Sequence, residues 1–131
     1  MTVAPHRLLS RSFLATAALL ATHEVDSGYW REWDLFRIPG GVGLFLLLHV
    51  GIFLLLFWGY GQVHTGTRAG TWMSFVVAGG ALFAGAAHGA FLLLGRSEFR
   101  SPISMGVLLA VTAGGVVLLI ASVSVIRRPT A

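Results

Sequence analysis

Three apolar runs dominate the chain: Gly40–Tyr60, Trp72–Leu94 and Ser104–Ile126. Each is long enough for a helix to cross a hydrocarbon core, which takes about 20 residues. A fourth stretch, Phe13–Thr22, is shorter. It crosses only if its helix continues through His23, Glu24 and Asp26 toward Trp30 or Trp33. Helical phase supports that continuation, because His23, Asp26, Ser27 and Trp30 recur at i, i+3, i+4 and i+7, one stripe of a helix. Thr16, Leu19 and Leu20 extend the stripe backwards. Glu24 sits about 100° round the helix from His23, beside the small residues Ala17, Ala21 and Gly28. A rival reading of the segment is a cleaved signal peptide, with Arg7 and Arg11 ahead of the apolar stretch and small residues near Ala21. Leu19 stands where a small residue is preferred, and the polar cluster beyond keeps helical phase, which counts against cleavage.

The pattern predicts an all-α fold: a transmembrane four-helix bundle as a single membrane domain over 1–131, with spans near 10–31, 40–60, 72–94 and 104–126. Ile38-Pro39-Gly40 opens the second span, and Ser101-Pro102 supplies an N-cap followed by proline in the first turn of the fourth. Small residues let backbones approach where lipid supplies no hydrophobic drive. Gly79, Gly80, Ala81, Ala84, Gly85 and Gly89 on the third span, with Gly106, Ala110 and Gly114 on the fourth, predict close packing between these two. Gly85 and Gly89 could equally form a dimer face.

Composition sharpens the class. Charged residues are 11% of the chain and hydrophobic residues 56%. A soluble domain carries about 25% charge, so this chain could not cover a water-facing surface. There is no cysteine, which excludes disulfides, thiolate nucleophiles and thiolate metal sites. All nine basic residues are arginine, scattered beside apolar runs rather than clustered, which argues against a nucleic-acid partner and for anchoring in a bilayer. Lysine and asparagine are absent, a composition suggestive of a GC-rich bacterial genome. Arg7, Arg11, Arg68, Arg127 and Arg128 fall on one side without an acid. Arg31, Arg37, Arg96 and Arg100 share the other with Glu24, Asp26, Glu32, Asp34 and Glu98. Five basic residues against four place both termini in the cytoplasm of a multi-pass protein of the bacterial inner (plasma) membrane.

The chemistry lies in polar groups at membrane depth. With inner boundaries at Phe13, Trp58, Trp72 and Ile126 and a rise of about 1.5 Å per residue, His23, Glu24 and His49 share a level near the midplane. Asp26, Ser27, His88 and Thr112 lie on the next level outward. His49 is surrounded by Phe45, Leu46, Ile52 and Phe53 on its own helix, so its partner must come from another. Ionisable groups in spanning helices cost about 2.5–3.5 kcal/mol each on the insertion scale and normally pair inside the bundle. Imidazole and carboxylate without sulfur are the donor set of zinc or iron. The candidate ligands are therefore His23, Glu24, Asp26, His49 and His88, with Glu24 the candidate general base. His23-Glu24 begins like a zincin motif, but Ser27 stands where the second histidine belongs, so the site must be assembled across helices.

Simpler readings exist for each feature. His23, Glu24 and Asp26 could be an interfacial helix end, and His49 and His88 could make ordinary interhelical hydrogen bonds. His64 belongs to a solvated loop, and Trp30–Asp34 reads as an interfacial anchor with Arg31 and Arg37 balancing the local acids. Three functions follow: a metal-dependent hydrolase or redox protein; an accessory or structural subunit, as a homo-oligomer or in a larger membrane complex; and a haem or pigment protein ligated by His49 and His88. A level difference of about 10 Å disfavours one haem bridging that pair. The absence of an internal repeat disfavours a transporter.

The stretch Thr22-His23-Glu24-Val25-Asp26, then Tyr29-Trp30-Arg31-Glu32-Trp33-Asp34-Leu35-Phe36, Pro39-Gly40-Gly41 and Phe45-Leu46-Leu47-Leu48-His49, resembles a family of small bacterial four-span membrane proteins of unknown function. The likeness covers roughly 14–58. It implies the topology and draws attention to the polar residues, without supplying a reaction.

Overall fold

The structure, a computed structural model, describes residues 3–127, with side chains from His6 onward. Arg128, counted above among the inner-side arginines, lies outside the described residues. The described chain is all helical: α1 Val3–Tyr29, α2 Glu32–Leu35, α3 Gly41–His64, α4 Arg68–Leu93 and α5 Pro102–Ile126. Helices α3, α4 and α5 are each long and apolar enough to cross a membrane. Helix α1 is as long, at 27 residues, but more polar. It runs unbroken past His23, Glu24 and Asp26, as the polar stripe requires.

The helix ends follow local chemistry. Ser101 caps α5 by accepting a hydrogen bond from the Ser104 amide at 3.0 Å, and Pro102 occupies the first turn. Thr67 caps α4 in the same way through the Gly70 amide. Between α1 and α3 the chain reverses sharply. Arg31 (φ 54°) and Arg37 (φ 56°) take left-handed backbone on either side of the single turn α2. Such a conformation costs a non-glycine residue about 1–2 kcal/mol, so the surrounding contacts must hold it. Trp33 supplies one of them, buried with its ring 5.1 Å from that of Phe45.

Helices α1 and α4 meet at the centre, and each packs against both α3 and α5. The expected close approach of α4 and α5 is present. A Cβ on Gly115 would lie 2.9 Å from the Ala81 Cβ, and one on Gly85 would collide with Thr112. Gly85 is therefore occupied within the chain, whereas Gly79, Gly89 and Gly106 face open space. On the other flank the Thr16 hydroxyl donates to the Gly114 carbonyl at 3.0 Å, tying α1 to α5. The level scheme anchored at Phe13 holds for Glu24 and His49, which meet, but fails for His88. It set His88 about 9 Å above His23, yet their rings touch. Helix α1 begins at Val3, ten residues before that anchor, so Phe13 does not mark where the helix starts.

Candidate metal centre

The continuous α1 presents two polar faces at its far end. Glu24 turns toward α3, where its Oε2 lies 2.7 Å from the His49 Nε2. His49 Nδ1 is 2.6 Å from the Phe45 carbonyl, an atom that can only accept, so Nδ1 carries a proton. A 2.7 Å contact at Nε2 then requires one more proton, held between the imidazole and the carboxylate. The interhelical partner that His49 requires is Glu24.

Asp26 turns toward α5. Its Oδ1 accepts from the Ser104 hydroxyl at 3.0 Å, and Ser104 in turn accepts from the Trp30 indole at 3.2 Å. This network ties the end of α1 to the start of α5 and draws Asp26 away from the histidines.

His23 faces α4 between these two directions. Its ring meets that of His88 edge-on, with centroids 4.7 Å apart. The third member of the cluster is Glu32 on α2. One ligand atom from each of His23, Glu32 and His88 lies within 4.8 Å of the other two. His88 Nδ1 donates to the Ala84 carbonyl at 2.9 Å, so in the neutral ring the lone pair is on Nε2. That lone pair confronts the Glu32 Oε1 at 3.6 Å, too far for a hydrogen bond. His88 Nε2 and His23 Nδ1 are both buried without a hydrogen-bond partner. Two electron-pair donors facing each other across a gap are stable only with a cation or a proton between them.

Phe99 closes the cluster from the α4–α5 loop. It is buried, its ring lies 4.3 Å from that of His88, and its backbone is left-handed at φ 65°. For a bulky side chain this is a genuine outlier, of the kind that gathers at functional sites. Burial also pushes the Glu32 carboxyl above the ordinary carboxylate range.

A cavity of about 670 Å³ adjoins the cluster between α1, α3 and α4. His23, Glu24, Glu32, His49 and His88 all line it, and every other lining residue is apolar or glycine. His64 is exposed, as a loop-end residue should be. Of the five candidates from the sequence, the structure brings His23 and His88 together, pairs Glu24 with His49 and ties Asp26 to Ser104. Glu32 was missed, because the run Trp30–Asp34 read as an interfacial anchor. Only Arg31 and Asp34 keep that character, as an exposed ion pair at 3.0 Å.

Among the described residues, the fold and the cluster define an all-helical protein with three membrane-compatible helices and a largely buried His/Glu group. The profile of a family of unknown function, DUF6713, matches residues 9–125, and the chain belongs to that family. No curated protein and no solved structure matches the chain.

Proposed function

We propose that this protein is a multi-pass membrane protein that binds zinc or iron inside the bilayer through His23, Glu32 and His88. In this reading α1 is the fourth spanning helix of a bundle. Its 27 residues extend about 40 Å, and its His23, Glu24 and Asp26 side chains turn toward other helices rather than lipid. The arginine distribution supports both termini on the cytoplasmic side of a bacterial plasma membrane.

The observation that carries the metal is the unpartnered His88 lone pair facing the Glu32 carboxylate, with a second unpartnered imidazole nitrogen beside it. Two histidines and one carboxylate form the ligand set of catalytic zinc sites and of non-haem iron centres, which keep coordination positions open. A bound ion would activate water or support redox chemistry facing the cavity. Glu24 stays outside the ligand set but lines the same cavity, which keeps it available as a base through its pair with His49.

A haem ligated by His49 and His88 is disfavoured, since both ring nitrogens of His49 are already engaged, by the Phe45 carbonyl and by Glu24. An accessory subunit without chemistry accounts for the Thr16–Gly114 and Asp26–Ser104 bonds, which are interhelical ties, but not for the orphaned imidazole nitrogens.

Elemental analysis tests the proposal. Protein purified in detergent, incubated with zinc or anaerobically with ferrous iron and then desalted, is expected to retain stoichiometric metal. Folded protein that retains neither metal would remove the reading.

A further inference from the structure

We infer that the cavity beside the cluster is a binding site for a neutral single-chain lipid that enters from the bilayer and places an oxygen-bearing head between the His23–Glu32–His88 group and the Glu24–His49 pair. The inference goes beyond the metal reading and does not rest on it, since it concerns the cavity of the metal-free protein.

Three observations support it. The cavity is open, and its mouth is apolar. Leu48 and Leu55 on α3 and Val76 and Phe83 on α4 line it while remaining about half exposed or more, so it opens sideways between these two membrane-compatible helices. No water-facing polar rim leads into it from that side, and a ligand entering there comes from an apolar phase. Its volume, about 670 Å³, is that of a small-molecule site rather than a packing defect.

The polar groups are gathered rather than scattered. All five ionisable lining residues belong to the two clusters, and the remaining wall, from Leu20 and Ile52 to Met73 and Val77, is apolar. This polarity matches an amphiphile with one polar head.

The charge of that head follows from the lining as well. Two carboxylates, Glu24 and Glu32, face the cavity, and no arginine does. In the metal-free protein a phosphate or carboxylate head would be desolvated beside like charge with no cationic side chain to meet it. A hydroxyl would instead donate to an unpartnered imidazole nitrogen of the other group, such as His88 Nε2, and needs no cation. The chemistry that fits is a hydroxyl on a single hydrocarbon chain, that of a long-chain alcohol.

Photolabelling in nanodiscs tests this with three hexadecyl probes carrying a mid-chain diazirine: an alcohol, a carboxylate and a phosphate. The alcohol is expected to label cavity residues of α3 and α4 at least tenfold more than either anionic probe, and excess hexadecanol should compete with it better than decylubiquinone. Gly80→Phe fills the cavity from a position where an added Cβ meets only Leu20 at 3.8 Å, and it should reduce cavity labelling about tenfold. Val76→Trp obstructs the exposed mouth without entering the core and should act likewise. Equal labelling by all three probes, labels spread evenly over α5 and the outer faces, or labelling unchanged in both variants would overturn the inference. Labelling uses chelator-treated protein, and metal retention is measured on the same preparation after loading. Metal retained without selective labelling sinks the lipid site alone, and selective labelling of protein that retains neither metal after loading sinks the metal reading alone.

Discussion

Replacing His88 with alanine probes the link between the buried cluster and metal. His88 is 1% exposed, and its Nε2 is one of three ligand atoms that meet between α1, α2 and α4. Structural zinc sites with four ligands bind with about 10–16 kcal/mol, or about 3–4 kcal/mol for each ligand. Loss of one ligand should therefore weaken binding by about 100- to 1000-fold. The Nδ1 bond to the Ala84 carbonyl is lost too, but that carbonyl stays within the α4 ladder. The ring also leaves a void beside Phe99, so a fall in stability of about 3 kcal/mol accompanies the loss of metal. A chromophoric chelator titrated against protein in nanodiscs measures the affinity, and thermal unfolding measures the stability separately. His49→Ala is the control, since His49 lies in the other pair and should leave metal affinity within a few-fold of the parent. If His88→Ala and the parent compete equally with the chelator, or if His49→Ala loses metal instead, the assignment of the cluster is wrong.

Glu32→Gln should have opposite effects with and without metal. Burial raises the Glu32 carboxyl above its unfolded value, so metal-free protein loses stability as pH rises from the unfolded pKa through the folded one and keeps that penalty at neutral pH. The glutamine variant should unfold at a higher temperature than the parent near pH 7 without metal, yet gain nothing from zinc. A variant less stable in both conditions would show that the carboxylate is satisfied without an ion. Gly115→Val should lower stability by about 1–3 kcal/mol, because its Cβ lands 2.9 Å from Ala81. Gly106→Ala, which points into open space, should be neutral or better, and equal losses from the two would mean that α4 and α5 do not meet at Gly115. Because the chain has no cysteine, single cysteines at Ser97 and Thr65 can report topology. In intact cells a membrane-impermeant maleimide should modify the first and not the second, and the reverse pattern would invert the orientation.

Much of the candidate site could be read from residue order. His23 and His88 stand out because an imidazole in an apolar helix needs a partner, and Glu24 falls at the level of His49 once α1 is continued. Glu32 could not be found this way. It lies nine residues after His23, which at 100° per residue puts it about 180° round a continuous helix, on the wrong face. Its inward direction arises only because α1 stops at Tyr29 and the left-handed Arg31 starts a new turn on a different axis. Nothing about an arginine announces such a backbone, and the same holds for Phe99. Asp26 failed in the opposite sense. It shares a stripe with His23, but the Ser104 hydroxyl at the start of α5 captures its carboxylate.

Residue order by itself determined which segments become long helices, because apolar length and period are properties of each segment alone. It also determined that polar groups on α1 must find partners on other helices, since lipid offers none. Only the tertiary structure decided which partners they find. Helix offset, the reversal between α1 and α3 and the αL residues that shape it are settled by packing among segments distant in the chain, and a shift of one helical turn exchanges one ligand set for another.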